Sequence, residues 1–108
     1  MTSIEVDAVR EVDGWTCQVT VADAGGSSRH RVSVGPADLA HLDPGAADPA
    51  PLVRRSFEFL LAREPRTAIL ASFDLVVIGR YFADYEAMIL TRGPSEGRAP
   101  RSPRGRRR

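Results

Sequence analysis

The first 34 residues largely alternate between apolar and polar side chains, a pattern typical of strands that bury one face. The dipeptide Asp13-Gly14 predicts a two-residue hairpin turn, because a type I′ turn needs positive φ at both central residues. Folding about that turn makes one side of the hairpin mainly apolar and the other mainly polar. The expected pairs on the apolar side are Val12 with Trp15, Arg10 with Cys17, Ala8 with Val19 and Val6 with Val21.

A third strand is predicted at Arg29–Val34, where His30, Val32 and Val34 fall on the same side. Gly25-Gly26 supplies flexibility for a four-residue loop at 24–27, which would place Val32 opposite Val19. All three strands then share one apolar face, and that face needs other elements to cover it.

Helical patterns follow the strands and supply this cover. Pro36 predicts a short helix that ends at Leu42, and the proline-rich segment 43–51 predicts a loop. The main helix is expected at residues 50–64, with Pro65 ending it. Its apolar stripe is wide and consists of Leu52, Val53, Phe57, Phe59, Leu60 and Leu61.

After Pro65, Thr67 is a candidate cap for a short turn and Asp74 for a final helix. The β-branched run Val76-Val77-Ile78 leaves a strand as the competing interpretation. We favour a helix because apolar residues recur at steps of three and four over fifteen residues, at Leu75, Ile78, Phe82, Tyr85 and Ile89. The expected fold is therefore α+β, a three-stranded antiparallel β-meander with helices packed on one face.

The block that begins at Ser56 reads SFEFLLAREP, then AILASFDLVVIGRYF, and is followed by Tyr85. It resembles the C-terminal block of a family of short prokaryotic proteins of uncharacterised function, whose pattern is SFEFLL-REP--IL--FDL--I--YF--Y after a histidine-bearing third strand. The resemblance covers about residues 4–90 and implies no activity. Relatives often have proline after the YF pair, so Ala83 departs from the pattern and favours a continuous final helix.

Charge divides the chain into two parts. Residues 1–91 carry eight arginines and thirteen acidic residues, a net charge of −5, whereas residues 92–108 carry seven arginines and one glutamate, a net charge of +6. A segment of this composition cannot bury enough apolar surface to fold. We therefore predict one α+β domain at 1–91, large enough for a single core, and a disordered Arg-rich tail at 92–108.

Several functional classes receive no support from the sequence. Cys17 is the only cysteine, which excludes an intramolecular disulfide and a cysteine-based zinc site, and we expect it to be a small core residue. In the predicted register it lies four residues out of step with His30, too far for a catalytic pair. Without a residue constellation for catalysis, a metal or a cofactor, we expect no enzyme. Without a hydrophobic signal or an apolar run of about 20 residues, we expect a cytoplasmic protein and no membrane contact.

Two functions remain open. The wide apolar stripe favours a small non-enzymatic protein-interaction or regulatory module that binds a protein partner or a second copy of itself as a homodimer, with Trp15 and Phe59 as candidate interface residues. The alternative is a nucleic-acid-binding accessory protein whose basic C-terminal tail makes weak, non-specific contacts. The candidate anion or nucleic-acid contacts are Arg54, Arg55, Arg98, Arg101, Arg104, Arg106, Arg107 and Arg108.

Overall fold

The computed structural model describes residues 2–91 of the chain. The predicted Arg-rich tail at 92–108 lies outside the described residues. In chain order the elements are β1 (Ser3–Glu11), β2 (Gly14–Asp23), β3 (Gly26–Val34), α1 (Pro36–Leu42), α2 (Ala50–Leu61), a 3₁₀ helix (Arg66–Ala68), β4 (Ser72–Asp74), α3 (Val77–Tyr81) and α4 (Tyr85–Thr91).

The strands form one sheet in the order β1-β2-β3-β4. The first three pair antiparallel, as predicted, whereas β4 pairs in parallel with β3 from Arg31↔Ser72 to Ser33↔Asp74. The predicted α+β class is confirmed, and the three-stranded antiparallel meander is corrected to a four-stranded mixed sheet. Three residues are too few to show strand alternation, and the parallel partner of β4 lies far away in the sequence.

Both hairpin turns differ from the prediction. The first turn is Val12-Asp13, so that Val6 pairs with Val19 instead of Val21. The second is a two-residue turn, and it places Cys17 opposite Val32. Each register differs from the predicted one by two residues, so every side chain keeps its predicted face of the sheet.

Gly14 explains why the first turn lies where it does. Its φ is +137°, and a Cβ added there would collide with the carbonyl oxygen of Val34 on β3. The glycine therefore follows the turn and permits the close approach of β3, instead of occupying the centre of the turn. Gly26 likewise follows the second turn and has a φ of +136°, but a Cβ added there would meet the guanidinium of Arg66 and not a strand backbone.

A single core lies between the inner face of the sheet and the helices. Apart from the half-buried Trp15, the predicted inward residues of the second and third strands are buried, among them Val19, Val21 and Val32. α2 ends at Leu61, three residues earlier than predicted, and its buried residues are Leu52, Val53, Ser56, Phe57, Phe59 and Leu60. In the part of the chain that the structure describes, no helix is long and apolar enough to cross a membrane.

The single helix predicted after Asp74 is wrong, because Asp74 is the last residue of β4 and two short helices, α3 and α4, follow it. The break falls at Phe82, whose backbone is extended (φ −130°, ψ 102°). Its ring packs edge-on against Phe59 at 5.7 Å, and an ion pair between Arg63 and Asp84 holds the residues that follow. These tertiary contacts override the helical preference that Ala83 and its neighbours show in the sequence.

Candidate functional site

An apolar groove of about 410 Å³ opens between α2, the segment before β4, and α3. Among the residues that line it, Leu60 and Ile78 are buried and belong to the core. Leu70 and Tyr81 also line the groove, yet they are 50% and 70% exposed. Glu64 is the one charged residue of the lining. Large apolar side chains are therefore open to solvent around a surface with very little charge.

His30 holds the segment before β4 in place. Its Nδ1 lies 2.8 Å from the carbonyl oxygen of Leu70, and its Nε2 lies 2.9 Å from the hydroxyl of Ser28. Because a carbonyl only accepts, Nδ1 carries a proton and donates it, and in the neutral ring Nε2 accepts from Ser28. The ring is buried, because the Leu70 segment lies over it.

Arg66 holds the 3₁₀ helix, whose last residue, Ala68, lines the groove, against the turn between β2 and β3. Its Nε lies 3.2 Å from Oδ1 of Asp23, and the backbone N–H of Gly25 donates to the same oxygen at 2.8 Å. The Gly25 hydrogen bond, followed by that from Arg66, lowers the pKa of Asp23 below its usual 3.8. The carboxylate therefore stays ionised and keeps the 3₁₀ helix next to the sheet.

Arg63 holds the opposite wall, which α2 and the break at Phe82 form. It donates to the Phe59 carbonyl at 3.1 Å and lies over the Phe59 ring at 3.6 Å, while its other nitrogen reaches Asp84 at 2.7 Å. Phe59 is consequently buried between Arg63, Phe82 and Tyr85. Phe59 was predicted as an interface residue, and it is only 4% exposed in the fold.

Ser56 and Tyr85 join α2 to α4 inside the core. The Ser56 hydroxyl donates to the Leu52 carbonyl at 2.8 Å, which leaves its oxygen to accept from the Tyr85 hydroxyl at 2.7 Å. Burial raises the pKa of Tyr85 to about 12, so this phenol stays protonated near neutral pH. The apolar stripe predicted for the main helix omitted Ser56, although its position four residues after Leu52 and four before Leu60 indicated burial.

The two arginines predicted as anion contacts in the folded part are both engaged within the fold. Arg55 lies 3.4 Å from Asp43, and the two side chains are 15% and 2% exposed. Arg54 donates from Nη1 to the carbonyl oxygen of Ile4 in β1. Neither contact was visible in the sequence, because each joins segments that are distant along the chain. The six predicted arginines between 98 and 108 lie outside the described residues.

Trp15 is half-buried beside the first turn, and the guanidinium carbon of Arg10 lies 4.7 Å from its ring centroid. The observed register makes this pair, because Arg10 is opposite Trp15 and not opposite Cys17. Arg10 thus lies over part of the ring proposed as an interface, although Trp15 keeps some exposure to solvent.

Cys17 is fully buried, and burial raises the pKa of its thiol to about 11. The observed register brings it within two residues of His30 instead of four, but both nitrogens of His30 already have other partners. Cys17 is thus a neutral core thiol. Among residues 2–91, no group of three or more histidine, cysteine or acidic residues could hold a metal ion.

Comparison with protein-family models, with curated proteins and with solved structures finds no match. The groove itself offers a pre-formed apolar surface. His30 and Arg66 hold one wall and Arg63 holds the other, so contacts within the fold fix both walls of the groove.

Proposed function

We propose that this chain is a small non-enzymatic protein-interaction module, and that its groove between α2, β4 and α3 binds apolar side chains of a partner protein. The observation that carries the proposal is the exposure of Leu70 and Tyr81 around an apolar groove. Scattered exposed apolar residues are ordinary on a protein surface, but apolar residues gathered around one concave site are typical of binding surfaces.

The size and polarity of the groove support a short apolar peptide as its proposed ligand. Its volume of about 410 Å³ is in the range of small ligand sites, which suits a short peptide segment carrying a few apolar side chains. Glu64 adds one negative charge at the lining, so a basic residue next to the apolar ones would find a partner there. We therefore expect an apolar peptide motif with at most one adjacent basic residue.

Selection from a displayed library of random peptides, with the full-length protein as bait, tests this proposal. We expect the selected peptides to share apolar residues. When one is synthesised, Leu70→Asn and Tyr81→Ser should each weaken its binding about tenfold or more, because buried apolar anchors dominate such interfaces. Val9→Ser is the matched control, since Val9 is similarly exposed but lies on the opposite, outer face of the sheet.

Two results would contradict the groove as a partner site. The first is a set of peptides whose affinity is unchanged by both groove variants. The second is a stable dimer of the full-length protein in light scattering that Leu70→Asn converts to a monomer. That result would assign the groove to a second copy of the chain.

The nucleic-acid alternative stays a prediction from the sequence. Arg54 and Arg55 are engaged within the fold, so the alternative depends on the arginines of residues 92–108. It predicts that full-length protein binds a DNA duplex with an affinity that falls steeply as salt rises. Replacing the tail arginines by serine should abolish that binding, and unchanged binding would exclude the tail as its cause.

A further inference from the structure

β1 forms one edge of the sheet, and the direction of its free backbone groups follows from the hairpin. The two-residue turn closes on the pair Glu11↔Gly14, and bonded and non-bonded pairs alternate from there along an antiparallel ladder. Odd-numbered residues of β1 therefore bond to β2, while even-numbered residues direct their N–H and C=O groups outward. The contact from Arg54 to the Ile4 carbonyl agrees independently with this assignment.

Arg54 covers only one end of this edge. Beyond Ile4, the outward backbone groups belong to Val6, Ala8 and Arg10. Among the described residues no further strand pairs with the outer side of β1. Three consecutive even-numbered residues thus offer both a donor and an acceptor each, which is the arrangement that an added strand requires.

The outer face of β1 is acidic, because Glu5, Asp7 and Glu11 are exposed there. This row opposes pairing of β1 with a second copy of itself. In every two-fold antiparallel register that pairs five residues or more through the outward groups, at least one carboxylate lies opposite another carboxylate. Asp7 meets Asp7, for example, or Glu5 meets Glu11, and like charges directly opposite are unfavourable.

We propose that the open edge of β1 binds an extended segment of a partner protein in which basic and apolar residues alternate. This site is independent of the groove, because it offers backbone groups and charge instead of an apolar cavity. Residues of the added strand opposite Glu5 and Asp7 lie on the acidic outer face and are basic. Those opposite Val6 and Ala8 lie on the inner face, where both side chains are half-buried, and are apolar.

The chain's own Arg-rich tail matches this pattern poorly. Arg98, Arg101 and Arg104 recur at every third residue, whereas one face of a strand takes every second residue, and Pro100 and Pro103 between them have no N–H to donate. The final arginines, 104, 106 and 108, do recur at every second residue, but the residues between them, Gly105 and Arg107, give the inner face no apolar side chain. Charge alone favours the tail, but the lack of alternating apolar residues favours a segment from another protein.

The first test is a capped peptide, Arg-Thr-Val-Val-Arg-Val-Arg, titrated into the full-length protein. Laid antiparallel from Glu11 to Glu5, it places arginine opposite each carboxylate of the outer row. The control peptide has the same sequence but carries N-methyl groups on its second, fourth and sixth residues, whose amides face β1. We expect the control to bind about tenfold more weakly or worse, because it keeps the charge and loses the hydrogen bonds. Equal binding of the two peptides would overturn the proposal.

Protein variants provide the second test. Ala8→Pro removes an outward donor and leaves the ladder to β2 intact, so we expect a folded protein with about tenfold weaker peptide binding. Val9→Pro is the matched control, because it removes a donor to β2 and should destabilise the hairpin. The double variant Glu5→Lys, Asp7→Lys keeps every backbone group and should weaken binding by a similar factor. Unchanged affinity in a folded Ala8→Pro protein or in the double variant would overturn the proposal.

Two further results would assign the edge to another occupant and overturn the proposed partner. Peptide affinity that rises when the arginines at 104, 106, 107 and 108 are replaced by serine would assign it to the chain's own tail. A wild-type dimer that Ala8→Pro converts to a monomer would assign it to a second copy.

Peptide binding that responds to Leu70→Asn but not to Ala8→Pro would place the peptide in the groove instead.

Discussion

β1 and β4 are the two edges of one sheet, and they are built in different ways. β1 has nine residues, and its register follows from an adjacent two-residue turn. β4 has three residues, and contacts from β3 hold it and the residues on either side. The N–H of Arg31 donates to Ala71, the N–H of Leu75 donates to Ser33, and His30 donates to Leu70, at 2.7, 2.9 and 2.8 Å.

The difference determines what each edge offers to a partner. A long strand formed by local signals leaves a row of backbone groups open, and β1 limits its own pairing with charge and with Arg54. A short strand fixed by tertiary contacts leaves few backbone groups open. The segment before β4 and the helix after it instead expose apolar side chains, Leu70 in the segment and Tyr81 at the end of α3. One sheet thereby presents two surfaces of different chemistry.

Phe57→Ala should have the largest effect, because it removes support beneath the β4 side of the core. The ring is fully buried and lies 5.3 Å from His30 and 6.1 Å from Phe73 of β4. We expect a loss of roughly 3–5 kcal/mol in the free energy of unfolding, measured by urea denaturation. Val12→Ala, at a residue 94% exposed, should change it by less than about 0.5 kcal/mol. A loss below about 1 kcal/mol for Phe57→Ala would contradict its place in the core.

Gly14→Ala tests the β1 side of the comparison. The new side chain would meet the Val34 carbonyl and would also need a φ of +137°. We expect a loss of about 2 kcal/mol or more in the free energy of unfolding. Gly45→Ala is the control, because Gly45 has a φ of +87° but nothing within 4 Å of an added Cβ, and strain alone should cost about 1 kcal/mol. Equal losses would show that the approach of β3 does not determine the need for glycine.

The contrast between the edges also explains how far the sequence predicts the fold. Alternation and turn glycines are local, so three strands and their buried faces follow from the first 34 residues. The predicted turn was placed one residue too late, at Asp13-Gly14 instead of Val12-Asp13, because that dipeptide favours a turn on local grounds. The requirement that decides its place is the nearby Val34 carbonyl on β3, which no local pattern contains. Faces were predictable, whereas the register depended on a tertiary contact.

The groove could not be predicted from the sequence for the same reason. β4 is too short to alternate, and the bond from His30 that holds the adjoining segment spans 40 residues. The helical stripe after Asp74 correctly marks Leu75, Ile78 and Tyr85 as buried. It does not reveal the break at Phe82, because the residues that hold that break, Phe59 on α2 and Arg63 just after it, are distant along the chain. Periodicity predicts burial, and contacts between distant segments decide where a helix ends.

His30→Leu should loosen the β4 edge and leave β1 unchanged. It removes the donor to the Leu70 carbonyl, and an unsatisfied polar group of this kind costs about 1–3 kcal/mol. We expect faster hydrogen exchange at the amides of Arg31 and Leu75, which bond across this edge, with exchange in β1 unaltered. Ser28→Ala is the control, because it removes only the partner of Nε2 and should have a smaller effect. Uniform acceleration over the whole sheet would show that the two edges are not independent.

The smallest expected effect is the pH dependence of the contact between Asp23 and Arg66. The pKa of Asp23 is lowered in the folded state, so its contribution to stability is present above the usual value of 3.8 and is lost as the pH falls through the folded value. Asp23→Asn keeps an acceptor for the Gly25 N–H but loses the charge that attracts Arg66. The wild type should therefore be more stable than the variant near neutral pH. The difference in unfolding free energy should shrink as the solution is acidified below that range. A difference that stays constant across the acid range would mean that the charge of Asp23 does not hold the 3₁₀ helix, leaving the groove wall to His30.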